Sequence, residues 1–480
     1  MFSRVELVAA AKTTPQGGLL PMRFAGAAVD SRILQRGELF VALKGERTDG
    51  HRYISTAIQS GASAVLCSRP DPYAQSRGVP LLVVDDPLEV LQRLAHVHLM
   101  HQPYTKVIAI AGSNGKTSVK EAAASLLGHM APTLKPSGSF NTEVGVPLTL
   151  LRLCPEHRFA VLEMGAQRVG EVALLCTIAP PHIGVVTVVG PEHLEFFGSL
   201  ENVIRAEGEV VDALAEDGIA VLNDDDSEVR NMAKRTKGQV VTYGHGPAVD
   251  VRASHVTGDP LTGLGFTLTY RGEKAYVHLN IPGEHAVSVA LAAAAVALAC
   301  GMNIQTVAEG LGELRPAKRR GEIKQGFNGS TLVDDSYNAN RQSALAALTL
   351  LCDAEIPQGG RRWFIFGDML ELGQFSKQEH AAVGTAALAI DELVLVGTEV
   401  RATADAALAA GMPDEHVHLF DASLEREQEL AQARLAAAHY VRNNVCPGDL
   451  VLVKGSLGVG MDAIVTALQE QGKASTASAE

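Results

Sequence analysis

Lys116 and Thr117 follow the tetrapeptide Gly112-Ser113-Asn114-Gly115, which comes directly after the apolar run 107–111. Glycines let a turn fold tightly enough for backbone N–H groups to converge on phosphate oxygens. A helix that starts there adds the positive end of its dipole. At this spacing Lys116 neutralises β/γ-phosphate charge and the Thr117 hydroxyl ligates magnesium. Gly112, Ser113, Asn114, Gly115, Lys116, Thr117 and Ser118 are therefore the candidate nucleotide contacts, with ATP and Mg2+ as the expected cofactors. The spacing is a variant, because Ile110 stands where the full pattern has its first glycine.

Two further candidates fall at the C-terminal ends of expected strands, where open α/β sheets bind ligands. Glu163 follows the run 159–162, and His193 follows 183–189 through Gly190-Pro191-Glu192. A carboxylate can hold magnesium and a neutral imidazole can complete a second metal site. On spacing alone, each reads equally well as a solvated loop residue, and Glu192 and Glu195 more readily so.

The elements that must position these groups are legible as alternating short apolar runs and helical stretches. Runs 39–43 and 64–67 read as strands with a helix at 53–60 between them. A His-rich helix over 94–104 gives way at Pro103. From 107 onward, apolar runs at 107–111, 159–162, 183–189, 219–222 and 240–243 alternate with helical stretches, the rhythm of a parallel sheet with helical crossovers. Segment 249–281 instead alternates apolar and polar residues, as in Phe266-Thr267-Leu268-Thr269-Tyr270, and reads as an antiparallel flap. The basic stretch 315–321 marks another boundary, after which 331–334, 363–366, 392–396 and 450–453 restart the alternation. The expected division is 1–104, 105–315 and 316–472, followed by a disordered Ala/Ser/Thr-rich tail at 473–480.

Composition bounds the function classes. A chain of 480 residues exceeds one ordinary core, and its 46% hydrophobic and 20% charged residues are those of a soluble globular protein. A net charge of -13 argues against nucleic acid as partner. Six scattered cysteines suit neither a disulfide framework nor a zinc site. The stretch 286–300 is too short for a membrane span and reads as a buried helix ended by Gly301. The cytoplasm is the expected location, and the sequence leaves the oligomeric state open with a monomer favoured.

Beyond these readings, several blocks resemble the Mur ligases of peptidoglycan synthesis. They are Gly112-Ser113-Asn114-Gly115-Lys116-Thr117, Glu163-Met164-Gly165 and His193. Asp334-Asp335-Ser336-Tyr337-Asn338-Ala339-Asn340 and Phe366-Gly367-Asp368-Met369-Leu370-Glu371-Leu372-Gly373 are similar to the branch that adds D-alanyl-D-alanine. So are Asp30-Ser31-Arg32, 37–45, Asp49-Gly50-His51 and 145–151. The resemblance implies an α/β fold in three domains: a small UDP-sugar-binding domain, a central P-loop ATPase with a mainly parallel sheet plus the flap, and a C-terminal Rossmann-like ligase domain. It implies that ATP phosphorylates the terminal carboxylate of UDP-MurNAc-tripeptide, and that the amine of D-Ala-D-Ala attacks the acyl phosphate. By position it implies Thr117 and Glu163 as ligands of a first magnesium and His193 of a second, with Lys116 as the γ-phosphate clamp. Arg320, Asp335 and Asn338 become nucleotide contacts. Asn340, Asn141 and Thr142 face the substrates, and Ser31, Arg32, Lys44, Asp49 and His51 hold the uridine nucleotide. Asp30, Gly37 and Gly45 read as turn residues.

The chain departs from the family pattern in four places. Glu207 stands where the family carries a carbamylated lysine, fourteen residues after the metal histidine; it keeps a carboxylate there on a shorter stem and is a further metal and catalytic candidate. Ala286 replaces an asparagine after His285, Thr142 a second asparagine after Asn141, and Leu457 an arginine. The departures leave open a relative that couples another carboxylate and amine, or a nucleotide-binding protein without catalysis.

Overall fold

The computed structural model describes residues 1–45, 48–136, 138 and 140–469; the tail expected at 473–480 lies outside the described residues. Three sheets organise the chain, as the α/β pattern predicts.

The first sheet is four-stranded and wholly parallel, in the order Ala27–Ala28, Leu39–Val41, Ala64–Cys67, Leu81–Val83. Its helices start where local chemistry dictates. Asp71 and Asp86 cap the helices Pro72–Ser76 and Pro87–Met100, each with proline at a position that needs no N–H donor. The first helix, Arg4–Ala11, opens on a capping box between Ser3 and Glu6. Glu6 also joins this helix to the next layer, its Oε1 lying 2.8 Å from His98 Nδ1 and 3.1 Å from His101 Nδ1. Burial alone would raise the Glu6 pKa, but hydrogen bonds from Ser3 and His98 outweigh it and hold the carboxyl at about 2. A folded-state pKa below the unfolded value contributes stability above about pH 4.5 that is lost as pH falls toward 2. Glu6→Gln is therefore expected to cost about 2 kcal/mol at pH 7, a cost that shrinks between pH 5 and pH 3 in urea unfolding.

The central sheet has nine strands. Thr133–Leu134, Phe159–Glu163, Lys106–Ala111, Ile183–Val186, Ile219–Asn223 and Gln239–Gly244 run parallel in that spatial order. The flap follows as Val251–Asp259, Gly263–Tyr270 and Glu273–Leu279, antiparallel to one another, while Val251–Asp259 lies parallel to Gln239–Gly244. One face is covered by the helices Lys116–Gly128, His285–Ala299 and Ile304–Glu313. Ala290 to Ala297 in the second of these are all buried, so alanine is there because larger side chains would not fit between sheet and neighbouring helices.

The C-terminal sheet orders its strands Glu322–Gln325, Thr331–Asp335, Leu450–Lys454, Arg362–Gly367, Glu392–Val396, Val417–Phe420, parallel except for the first. Helices Arg341–Asp353, Ser376–Ala386 and Arg401–Ala410 pack on one face, and Glu427–Asn444 and Asp462–Leu468 on the other. Among the described residues no helix is long and apolar enough to cross a membrane.

Candidate functional site

The central strand Lys106–Ala111 delivers the chain into a turn that only glycine can make. Gly112 sits at φ +120°, and a Cβ built there would lie 2.2 Å from Thr187 Oγ1. Gly115, at φ +81°, then lets the chain enter the helix Lys116–Gly128. The neighbouring strand stops at Val186, earlier than the expected 189. Thr187 breaks away to brace the turn, its hydroxyl donating to Asn114 O at 2.5 Å. Gly112→Ala is expected to abolish nucleotide binding, measured by calorimetric titration with ADP, because the methyl group and the left-handed backbone conflict with the turn together.

Three carboxylates surround this loop. Thr117 Oγ1 donates to Glu163 Oε2 at 2.9 Å, and Asn141 Nδ2 donates to Glu163 Oε1 at 2.9 Å. Lys116 Nζ donates to Gly112 O and to Glu192 Oε1, the latter at 2.9 Å. Glu207 closes the helix Leu200–Glu207 behind the loop, fully buried, and its Oε2 accepts from Gly112 N. Burial raises its pKa to about 7, with the Lys116 charge pulling the other way. His193, at φ +49°, donates from Nδ1 to Glu371 of the C-terminal domain. Burial disfavours the charged imidazole, but that bond and the charges of Glu192 and Glu371 outweigh it, so its pKa is raised.

The C-terminal domain completes the other wall. Asn340, which caps the helix Arg341–Asp353, exchanges a reciprocal amide pair with Asn114 at 2.9 and 3.1 Å. Gln342 accepts from Asn114 Nδ2 at 3.0 Å. Arg320 stacks 4.2 Å over the Tyr337 ring and donates to Thr117 Oγ1 at 3.2 Å. Lys454, almost fully buried, donates to Asp335 Oδ2 at 2.6 Å and to Asn338 O at 2.9 Å. Between these walls lies a cavity of about 660 Å3, lined by Ser118, Glu163, His193, Ala286, Arg320 and Asp335 among others. Glu207 is not among its lining residues.

The remaining candidates lie elsewhere. Thr142 Oγ1 accepts from Gly145 N at 3.3 Å, at the start of the helix Gly145–Leu150. In the first domain Asp49 accepts from His51 N and Nδ1 and from Arg69, and Lys44 forms a β-bridge with Asp49. Arg32 is exposed and paired with Asp30, while Ser31 is buried. The sequence reading gave no role to Gln342 or to the Glu371 carboxylate, although Glu371 stands inside a quoted motif. Their partners lie 228 and 178 residues away, and no local pattern marks such a contact.

The chain matches three family models: Mur ligase family, catalytic domain, over residues 23–98; Mur ligase middle domain, over 110–297; and Mur ligase, glutamate ligase domain, over 319–457. It is 37% identical over 450 residues to the UDP-N-acetylmuramoyl-tripeptide–D-alanyl-D-alanine ligase of Escherichia coli K12, covering 92% of this chain and 93% of that one. The enzyme of the same name from Mycobacterium tuberculosis H37Rv is 37% identical over 470 residues, covering 92% and 91%. Among solved structures, MurF from Acinetobacter baumannii superposes with a TM-score of 0.85 at 29% identity, covering 98% of this chain and 99% of that one. MurF ligase from Thermotoga maritima in complex with ADP gives 0.76 at 26% identity, covering 92% and 96%. The protein described here belongs to the Mur ligase family.

Proposed function

We propose that this chain joins D-alanyl-D-alanine to the terminal carboxylate of UDP-MurNAc-tripeptide at the expense of ATP. The carrying observation is the cavity between loop and C-terminal sheet, where the cations Lys116, Arg320 and Lys454 meet the oxygen donors Thr117, Glu163 and Asp335. Acyl-phosphate chemistry needs charge neutralisation and alignment rather than a covalent enzyme intermediate. In the first step a substrate carboxylate oxygen forms a bond to the γ-phosphorus, and the bond to ADP breaks. In the second the amine nitrogen bonds to the acyl carbon, the bond to phosphate breaks, and the amine releases a proton.

Lys116 exchanges Glu192 for phosphate oxygens, and the N–H groups of 114–117 converge on the β-phosphate, since Gly112 N and Ser113 N are committed to Glu207 and Val188 O. Arg320, held flat by Tyr337, adds charge from the C-terminal side. The oxygen donors fit magnesium: Thr117 Oγ1 and Glu163 are buried and adjacent, and this ion takes one or two protein oxygens and keeps its waters. When bound there, magnesium supplies Lewis-acid polarisation of the phosphates. Asn141 orients the Glu163 carboxylate for that role. His193 is a candidate for a second ion. Asn338 lines the cavity, Asn340 pairs with Asn114 on the loop beside it, and Ser31, Lys44 and His51 are assigned to the uridine end. A cytoplasmic location suits a reaction that uses ATP and nucleotide precursors.

The test is ADP release by the purified chain with ATP, Mg2+, UDP-MurNAc-tripeptide and D-Ala-D-Ala, each omitted in turn. Turnover that requires both substrates, with a pentapeptide product by mass, is the expected result. ATP binding without turnover on this pair would overturn the substrate assignment.

A further inference from the structure

The turn between the strand Arg362–Gly367 and the short helical turn Gly373–Phe375 is fastened to its own domain at every residue before Glu371. Asp368, fully buried, accepts from Thr398 N at 3.1 Å and Val400 N at 2.9 Å. Met369 N donates to His380 Nε2 at 3.0 Å, and Leu370 N donates to Ser456 Oγ at 3.0 Å. Glu371 then reaches out of the domain. It holds a left-handed backbone at φ +62°, a conformation that a non-glycine residue keeps only when its surroundings demand it. Its carbonyl accepts from Glu195 N at 3.1 Å and its carboxylate accepts from His193 Nδ1. His193 is itself left-handed, at φ +49°. Gly373 lets the turn approach this closely, since a Cβ there would lie 3.3 Å from Glu195 Cα.

Two strained residues from different domains thus meet through one directed bond. A bond at Nδ1 leaves Nε2 as the nitrogen available to the cavity that His193 lines. We propose that Glu371 is a positioning residue: carried rigidly by the C-terminal domain, it fixes the His193 ring so that Nε2 serves the site only when that domain is seated. The inference rests on the ligase reading for its kinetic arm and on geometry for the rest. It makes the seating of the third domain a condition for orienting the His193 ring, beside the contacts that Arg320, Asn340 and Gln342 make with the loop.

The experiment uses the full chain with Glu371→Ala, Glu371→Gly and Glu371→Gln. The glycine variant removes the carboxylate while relaxing the left-handed backbone, so a loss there does not come from misfolding. Manganese affinity in the presence of ADP, read by electron paramagnetic resonance, is measured beside kcat and the KM for ATP. The alanine and glycine variants are expected to lose about 10–100-fold in manganese affinity and in kcat, as loss of an orienting partner does, with the KM for ATP within about twofold. The glutamine variant recovers most of the loss, because its amide oxygen still accepts from Nδ1. Affinity and kcat within about twofold of the parent in the alanine and glycine variants, or a glutamine variant no better than alanine, would overturn the proposal. If the parent chain fails to ligate D-Ala-D-Ala yet the manganese arm shows the loss, the substrate assignment fails and the role of Glu371 stands.

Discussion

Replacing Lys116 with methionine is expected to lower ligase turnover by about 10²–10³-fold while the fold survives. Lys116 Nζ is held between Gly112 O and Glu192, with the charges of Glu207 and Glu163 nearby. Burial opposes its charge, but those three carboxylates outweigh burial and raise its pKa above the ordinary lysine value. It is therefore a cation at neutral pH, and its charge is available to the transferring phosphoryl group. Methionine keeps the apolar stem and removes only the ammonium. Arginine is not expected to restore the rate, because a planar fork cannot occupy the compact position beside Gly112 O. Initial rates of ADP release decide the matter. A methionine variant within about tenfold of the parent would show that Arg320 and Lys454 carry the phosphate charge instead.

The parts of this site that were legible in the sequence are those whose chemistry is local. The turn at 112–117 needs glycine at two left-handed or crowded positions, so residue type alone betrays the backbone. The flap showed itself because Glu273–Leu279 buries alternate side chains from Lys274 onward, and a period of two has no helical reading. The buried alanines between 290 and 297 of the helix His285–Ala299 were equally plain. What stayed hidden depends on pairs far apart in the chain. Asn340 was a substrate-side candidate, yet its amide is paired with Asn114 on the loop, 226 residues away. Glu192 looked like a solvated loop residue, and it is the buried partner of Lys116. The end of the strand at Val186 was also unreadable, because Val188 and Val189 continue the apolar run while Thr187 turns to brace the loop. Periodicity reports which face is buried. It does not report which loop a side chain crosses to reach.

Glu207 carries the second large effect, and its position makes the expected outcome specific. Its Oε2 accepts from Gly112 N, and among the described residues its Oε1 has no hydrogen-bond partner. Truncation to alanine strands a buried N–H at the tip of the phosphate loop, a cost of about 1–3 kcal/mol that falls on the conformation that binds phosphate. Turnover of Glu207→Ala should therefore drop by about 10²-fold, and formate, small enough to enter the space left behind, should restore part of it. An unchanged rate in the alanine variant would reduce Glu207 to a filler. The parent rate should be the same in buffer stripped of carbon dioxide, because a glutamate already supplies the carboxylate that a carbamylated lysine supplies in the family pattern. Glu207→Gln separates the loop contact from the charge. Burial raises the Glu207 pKa to about 7 against 4.5 unfolded, so its contribution to stability is present below about pH 4.5 and is lost as pH rises through 7. The glutamine variant, neutral throughout and still able to accept from Gly112 N, should melt progressively higher than the parent between pH 5 and pH 8. A constant offset across that range would mean that the carboxylate is already ionised at pH 5, with the Lys116 charge outweighing burial.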